Sequence, residues 1–248
     1  MQTLKLTISY DGTHYVGWQR QKNGLSVQEC LERALSKMTK EKVGVTGASR
    51  TDAGVHAVAQ VVSFKCKKNI PPTAFLRGLI PLLPRDIVVT SVEEAPHGFN
   101  ARKQAASKHY RYLLYQARVP SPLLLERAWF LWKPLNLTAM RKAAKVLVGH
   151  HDFACFMATG SSVKGTKRTI REIKIRFTQN DNVFLAVDVW GDGFLRHQVR
   201  NMVGTLVEVG EGKRKPDEMK AILHSRKRTQ AGRCAPACGL YLMNVAYG

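Results

Sequence analysis

Val43-Gly44-Val45-Thr46-Gly47-Ala48-Ser49-Arg50-Thr51-Asp52-Ala53-Gly54-Val55-His56-Ala57-Val58-Ala59-Gln60-Val61-Val62-Ser63-Phe64 reads as a strand, a tight connection and a second strand. Residues 43–47 and 58–65 are rich in apolar and β-branched side chains, and Arg50 to Gly54 between them is too short to form a core element. A loop held by a rigid sheet is where catalytic side chains concentrate. This one sets a carboxylate, Asp52, two residues from Arg50. The same residues also suit an ordinary turn, in which Thr51 and Asp52 bond their own backbone and Gly54 supplies a positive φ. The loop alone leaves both readings open.

Upstream, Met1 to Tyr10 alternates Leu4, Leu6, Ile8 and Tyr10 with Lys5, Thr7 and Ser9. That is a strand and not the apolar core of a signal peptide, so the protein is expected in the cytoplasm. Asp11-Gly12 marks a turn, and Tyr15, Trp18 and Arg20 follow in a loop. A helix then opens on the capping box Ser26-x-x-Glu29, with Leu25 and Cys30 as its staple and Val27, Leu31, Ala34, Leu35 and Met38 at helical spacing. Downstream, a short helix opening at Pro71-Pro72 and a strand near 87–93 complete a β-α-β-β-α-β order, the split βαβ pattern. The second half restates the plan. It has a strand over 108–117, a helix over 137–149, a strand pair at 168–177 and 183–190, and a helix over 194–209. That last helix carries the stripe Leu195, Val199, Met202, Val203, Leu206 and Val209, with Gly210 as C-cap. A helix near 216–224 and a strand near 239–247 close the chain. The expected fold is α/β (α+β), with two ferredoxin-like, split βαβ halves of antiparallel sheet joined around a central basic cleft. The expected halves are residues 1–104, with the Asp52 loop, and 105–248.

The 248 residues carry 39 Lys and Arg against 18 Asp and Glu, a formal charge of +21. So large an excess points to a polyanionic partner, nucleic acid first. The cations cluster: Lys65, Lys67 and Lys68; Arg102, Lys103, Lys108 and Arg111; Lys164, Lys167, Arg168 and Arg171; Lys213 to Lys215; Arg226 to Arg228. No segment has the length of a spanning helix. Cys30, Cys66, Cys155, Cys234 and Cys238 are odd in number and fit no disulfide framework, and the Cys234/Cys238 pair reads as small buried thiols rather than half a zinc site.

On the helix over 194–209, Arg196 and Arg200 sit four apart, a like-charge pair that costs a few tenths of a kcal/mol unless an anion lies near. A phosphate, Asp52, or solvent alone could answer that charge. On the strand over 108–117, Tyr110, Tyr112 and Leu114 share one face and His109, Arg111 and Leu113 the other. Aromatic rings beside cations are how proteins stack on unpaired bases, and Tyr110 is nearest the basic cluster. Tyr112 and Tyr115 are assigned to packing. Dinucleotide, Walker and His-Glu-x-x-His motifs are absent. Asp192 fits a turn, His150-His151 sits at a helix end without a third ligand, and isolated carboxylates such as Asp52, Asp188 and Asp192 do not make a two-metal nuclease.

Six stretches in order carry a resemblance. They are Tyr10-Asp11-Gly12 with Gly17-Trp18-Gln19-x-Gln21; Arg50-Thr51-Asp52-Ala53-Gly54-Val55-His56-Ala57; Phe99-Asn100-Ala101-Arg102; Lys108-x-Tyr110-x-Tyr112; Phe194-Leu195-Arg196-His197-Gln198-Val199-Arg200-Asn201-Met202-Val203-Gly204; and Ala235-Pro236-x-x-Gly239-Leu240. Together they resemble the tRNA pseudouridine synthase A family over nearly the whole chain. Ser49 stands where many members have Gly, Gln198 where Met is frequent, and Cys238 is unusual; none of these is a proposed catalytic group. The resemblance implies isomerisation of uridine to pseudouridine at positions 38–40 of the tRNA anticodon arm, by a homodimer needing no metal or cofactor. It implies Asp52 as the catalytic aspartate, Tyr110 stacked on the target base, Arg200 as ionic partner of Asp52, and Arg50 as the side chain that helps extrude the nucleotide. Arg102, Lys108, Arg111, Lys164, Lys167, Arg168 and Arg196 are the expected RNA-contacting cations. The other class of function is a non-catalytic RNA-binding protein of tandem ferredoxin-like halves, with Asp52 a turn residue.

Overall fold

In a computed structural model, residues 1–161, 163, 165–178 and 183–248 are described. They fall into two units, Met1–Ala106 with Tyr241–Gly248, and Ser107–Leu240. In contrast to a single cut after residue 104, the end of the chain returns to the first unit.

The first unit contains β1 (Gln2–Tyr10), α1 (Val27–Thr39), β2 (Val45–Gly47), β3 (His56–Cys66), α2 (Pro72–Leu79) and β4 (Ile87–Glu94). β1 lies between β4 and β3, and β2 pairs with the far edge of β3, every pairing antiparallel. This is the order 4-1-3-2 of the split βαβ. β10 (Leu240–Tyr247) joins that same edge of β3 in parallel register, with Tyr241 opposite His56 and Leu242 opposite Ala57. Ser26 starts α1 as the sequence says, its Oγ accepting the Glu29 amide at 3.2 Å. The Glu29 carboxylate does not close the capping box; it turns to Arg33 and Arg20. Leu4, Leu6 and Ile8 of β1, Leu31 and Leu35 of α1, and Phe75 and Leu79 of α2 are fully buried. Each such side chain contributes about 1.5–3 kcal/mol. Phe75 meets Phe64 of β3 edge-on at 5.4 Å, which fixes α2 on the sheet.

The second unit contains most of β5 (Ala105–Gln116), then β6 (Trp129–Leu131), α3 (Leu137–Lys145), β7 (Gly149–Asp152), β8 (Lys167–Phe177), β9 (Phe184–Gly191), α4 (Gln198–Gly210) and α5 (Glu218–Ser225). Its strands run β5-β9-β8-β7, antiparallel, with β6 parallel on β5. The short strands β6 and β7 were not legible in the sequence. β7 takes in His150 and His151, which therefore sit in a strand and not at a helix end. α4 begins at Gln198, later than its apolar stripe suggested, because His197 takes a left-handed conformation (φ 60) and the Leu195 amide bonds Gln198 Oε1 at 2.8 Å. Arg196 thus lies in a turn before the helix, and the like-charge argument built on an i, i+4 pair with Arg200 does not apply. Gly210 is the last residue of α4 and Glu211 is its C-cap. The stripe itself is as read: Leu195, Val199, Met202, Val203, Leu206 and Val209 are all buried.

Candidate active site

The Asp52 loop leaves β2 and returns as β3, and it is held from beneath by buried polar groups. Gln60 of β3 is fully buried. Its Oε1 accepts the Ser49 amide at 3.2 Å and its Nε2 donates to the Ser49 carbonyl at 2.7 Å, so one side chain satisfies both backbone groups of Ser49. Two residues on, the Thr51 hydroxyl lies 2.8 Å from the buried Tyr10 hydroxyl, and the Thr51 carbonyl accepts the Trp18 amide at 3.1 Å. The Asp52 carbonyl accepts the Val55 amide at 3.1 Å, closing the turn. Gly17 has φ +105, and a Cβ there would lie 2.5 Å from the Thr51 carbonyl; only glycine lets the two loops approach this closely. The Tyr10-Asp11-Gly12 and Gly17-Trp18 stretches are therefore the seat of the Asp52 loop. His56 ends the loop: its ring stacks on Tyr241 at 4.7 Å, and Nδ1 lies 3.0 Å from both the Gly12 amide and an Asp11 carboxylate oxygen. Unprotonated, it accepts from Gly12; protonated, it donates to Asp11. Asp52 itself is half-buried, with Ala53 exposed beside it.

Arg50 is exposed at the loop surface. Partial burial of its guanidinium, and then the charge of Arg102, pull its pKa down from the usual arginine value, so Arg102 is a close neighbour. Among the described residues neither guanidinium has a salt bridge. Arg102 is placed by Asn100, whose Oδ1 accepts the amides of Arg102 and Lys103 at 3.1 and 3.0 Å. The Ala101 amide donates to Ser63 Oγ at 3.1 Å and Tyr247 Oη donates to the Ala101 carbonyl at 2.8 Å, which ties the Phe99-Asn100-Ala101-Arg102 turn to β3 and β10. Two forked cations without acidic partners suit a phosphodiester.

In the second unit, Tyr110 is buried on β5 with the Phe194 ring edge-on at 5.2 Å. Tyr112 is fully buried and donates to the Pro236 carbonyl at 2.8 Å, and Tyr115 packs against Phe130 and Phe184, so both are packing residues as expected. Arg200 projects from the first turn of α4, with Nε donating to the Ala235 carbonyl at 2.8 Å while the Ala235 amide returns to the Arg200 carbonyl at 3.1 Å. A Cβ on Gly204 would lie 1.8 Å from the Arg233 carbonyl. The Arg200 and Gly204 positions of α4 are thus fitted to the Ala235-Pro236 stretch.

Arg111 is committed within its own unit. Its guanidinium grips Asp188 directly across the β5–β9 pair, Nε to Oδ1 at 2.7 Å and Nη2 to Oδ2 at 3.2 Å, and His109 Nε2 sits 2.7 Å from the same carboxylate. Burial pushes the Asp188 carboxyl up, yet the hydrogen bonds from His109 and Arg111 outweigh it and hold the group below the ordinary range. Of the other expected RNA contacts, Lys108 is half-buried on β5, Lys167 and Arg168 open β8, and Arg196 is exposed in its turn. Lys164 lies outside the described residues. Cys234 and Cys238 are thiols outside any disulfide and only half-buried, less enclosed than expected. Among the described residues no group of three or more His, Cys, Asp or Glu is placed to hold a metal, and no helix is long and apolar enough to cross a membrane.

Residues 6–102 and 143–248 match a family model described as tRNA pseudouridine synthase. The chain belongs to the tRNA pseudouridine synthase family. Tyr110 falls between the two matched stretches. Proteins named tRNA pseudouridine synthase A from Acetivibrio thermocellus and Geobacter sulfurreducens are each 46% identical over 247 residues, covering 100% of both chains, and one from Pelobacter propionicus is 45% identical with the same coverage. A solved Cbf5-Nop10-Gar1 complex covers 96% of this chain and 48% of its own at 12% identity and a TM-score of 0.39, a distant likeness from which nothing is carried over. The synthase is accordingly an isomerase acting on tRNA uridine. The sequence assigns no supporting role beneath the Asp52 loop to Gln60, Tyr10 or His56. The signal for one of them was present: Gln60 is a lone amide among Ala57, Val58, Ala59, Val61 and Val62.

Proposed function

We propose that this synthase isomerises uridines at positions 38–40 of the tRNA anticodon arm, with Asp52 as the reacting carboxylate, and that it works as a homodimer. The observation that carries the reading is the Asp52 loop itself, a half-buried carboxylate on a surface loop whose backbone is fastened by Gln60, Tyr10 and Gly17. An ordinary solvent-facing turn does not need three buried supports, whereas a reacting group must be held to within a fraction of an ångström.

The reaction breaks the bond from ribose C1′ to uracil N1, rejoins the same ribose carbon to C5 of the same base, and releases the C5 hydrogen as a proton while N1 takes up one proton from solvent, so that the composition is unchanged. Apart from that proton exchange, no outside reactant enters. Asp52 can add to the base, add to the sugar, or take a sugar proton; each role requires it ionised. Arg200 is proposed as the cation that keeps Asp52 ionised. Tyr110 is proposed to stack on the uracil, recovering part of the few kcal/mol that flipping a base costs. Arg50 and Arg102, two neighbouring guanidiniums, are proposed to take the phosphates beside the flipped nucleotide. Lys108, Lys164, Lys167, Arg168 and Arg196 are proposed to contact the tRNA backbone. Arg111 contributes less, because Asp188 already neutralises it. The test is an unmodified tRNA transcript incubated with the purified protein and mapped for pseudouridine. Product at 38–40 supports the reading, and product elsewhere with those positions untouched refutes it.

A further inference from the structure

The cluster Lys65, Lys67 and Lys68, conspicuous in the sequence, has no part in the site above. In the first unit a groove of about 360 Å³ lies between the end of β3 and the stretch leading into β2, with Lys42, Lys65 and Lys67 around it and Phe99 and Asn100 along one wall. Lys42, Lys65 and Lys67 are exposed, and among the described residues none of them has a salt bridge. One acid, Glu41, also lines the groove. Its Oε1 accepts from the Cys66 thiol at 3.1 Å and the Lys67 amide at 3.0 Å, and this single carboxylate offsets only part of the charge of the lysines. Holding like-charged ammonium groups around one concavity is unfavourable in the free protein and is relieved by a polyanion.

The groove shares strand β3 with the support of the Asp52 loop. Ser63 and Lys65 line it and lie on β3 about 10–17 Å beyond Gln60, at ~3.3 Å per residue. Asn100 in its wall places Arg102, and Arg102 is the cation next to Arg50. Arg50, Arg102 and Asn100 thus link the Asp52 loop to the wall of the groove. We propose that this groove binds the sugar–phosphate backbone of the tRNA substrate at a stretch remote from the target uridine. This rests on the reading of the Asp52 loop as the reacting site. Lysines without base-edge partners add affinity and register and do not choose the base.

The test compares the wild type with Lys42→Ala/Lys65→Ala/Lys67→Ala and with a control of equal charge, Lys37→Ala/Arg77→Ala/Lys145→Ala, on the helices. The probe is full-length unmodified tRNA transcript, and the readouts are Kd against salt and the single-turnover rate at saturating tRNA. The groove variant should bind roughly tenfold more weakly and lose about 2–3 units of log–log salt slope, at ~0.7–0.9 per phosphate contact. Its saturated rate and product position should stay unchanged, and the control should behave as wild type. Lys→Arg replacements at the three groove positions should keep the slope. A groove variant with wild-type Kd and slope, or a control that loses as much, overturns the proposal and leaves Asp52 untouched. Conversely, normal turnover by Asp52→Asn would fell the catalytic reading whatever the groove variant does.

Discussion

Gln60→Leu isolates the support of the Asp52 loop. It removes the bonds to the Ser49 amide and carbonyl, 3.2 and 2.7 Å long, while leaving a side chain of similar girth in a fully buried position. Each backbone group left unsatisfied costs about 1–3 kcal/mol, so two groups put roughly 2–6 kcal/mol against the native loop. The more apolar side chain returns on the order of 1–2 kcal/mol. The protein has two ways to meet the difference. If the loop stays, the melting temperature falls by about 2–4 °C per kcal/mol. If the loop relaxes into water, Asp52 is displaced, and a shift near 1 Å costs about a hundredfold in rate. Because Arg50 and Ala53 are exposed, relaxation is the easier route. The assay pairs a thermal melt with single turnover on saturating tRNA. The expected result is a rate lowered at least tenfold with tRNA affinity held within about twofold. A variant with both wild-type melting and wild-type rate would refute the reasoning.

Gly204→Ala should overpack α4 against the Arg233 carbonyl, lower the melting temperature by an amount equivalent to about 1–3 kcal/mol or more, and slow turnover by disturbing the Arg200–Ala235 bonds; an unchanged melt contradicts the packing. Asp188→Asn strips the buried partner from Arg111 and His109 and should cost about 3–5 kcal/mol. Because the Asp188 carboxyl is held below its unfolded value, its contribution is present above about pH 4 and is lost as pH falls through the folded value. The variant's acid limb, followed by melting between about pH 5 and 2, should accordingly be flatter than wild type, and identical limbs would rule the contribution out. The reaction changes no oxidation state and needs no metal-held water. Tritium release from C5-labelled tRNA should therefore survive EDTA, once magnesium for tRNA folding is restored; activity regained only with a transition metal would contradict this.

Most of the first unit was legible because its signals are local. Alternation marked β1, the Ser26 cap marked α1, and the proline pair marked α2. The Asp52 loop was legible as a connection between strands, but its supports were not. Gln60 is eleven residues from Ser49 and Tyr10 forty-one from Thr51, and such pairings follow only once β1 and β3 are registered. The return of β10 to β3 is of the same kind, a parallel pairing of residues near 241 and 56 that no local pattern announces. In the second half the apolar stripe of α4 was read correctly and its start was not. A stripe reports which face is buried, while the start was set by the left-handed His197. Arg111 shows the limit for charges: composition counted it as a free cation, and the cross-strand register placed it on Asp188. The function was legible from ordered motifs, whose glycines and polar residues then found physical reasons in the fit of Gly17 to Thr51 and of Gly204 to Arg233.

The most direct measurement is single-turnover pseudouridine formation by Asp52→Asn on an unmodified tRNA transcript, with affinity measured on the same preparation. Asparagine keeps the size and the turn-forming capacity of the side chain and removes only the ionisable carboxylate. The expected outcome is wild-type melting, wild-type tRNA affinity and no detectable pseudouridine at saturating enzyme. Substantial product from that variant would return Asp52 to the status of a turn residue.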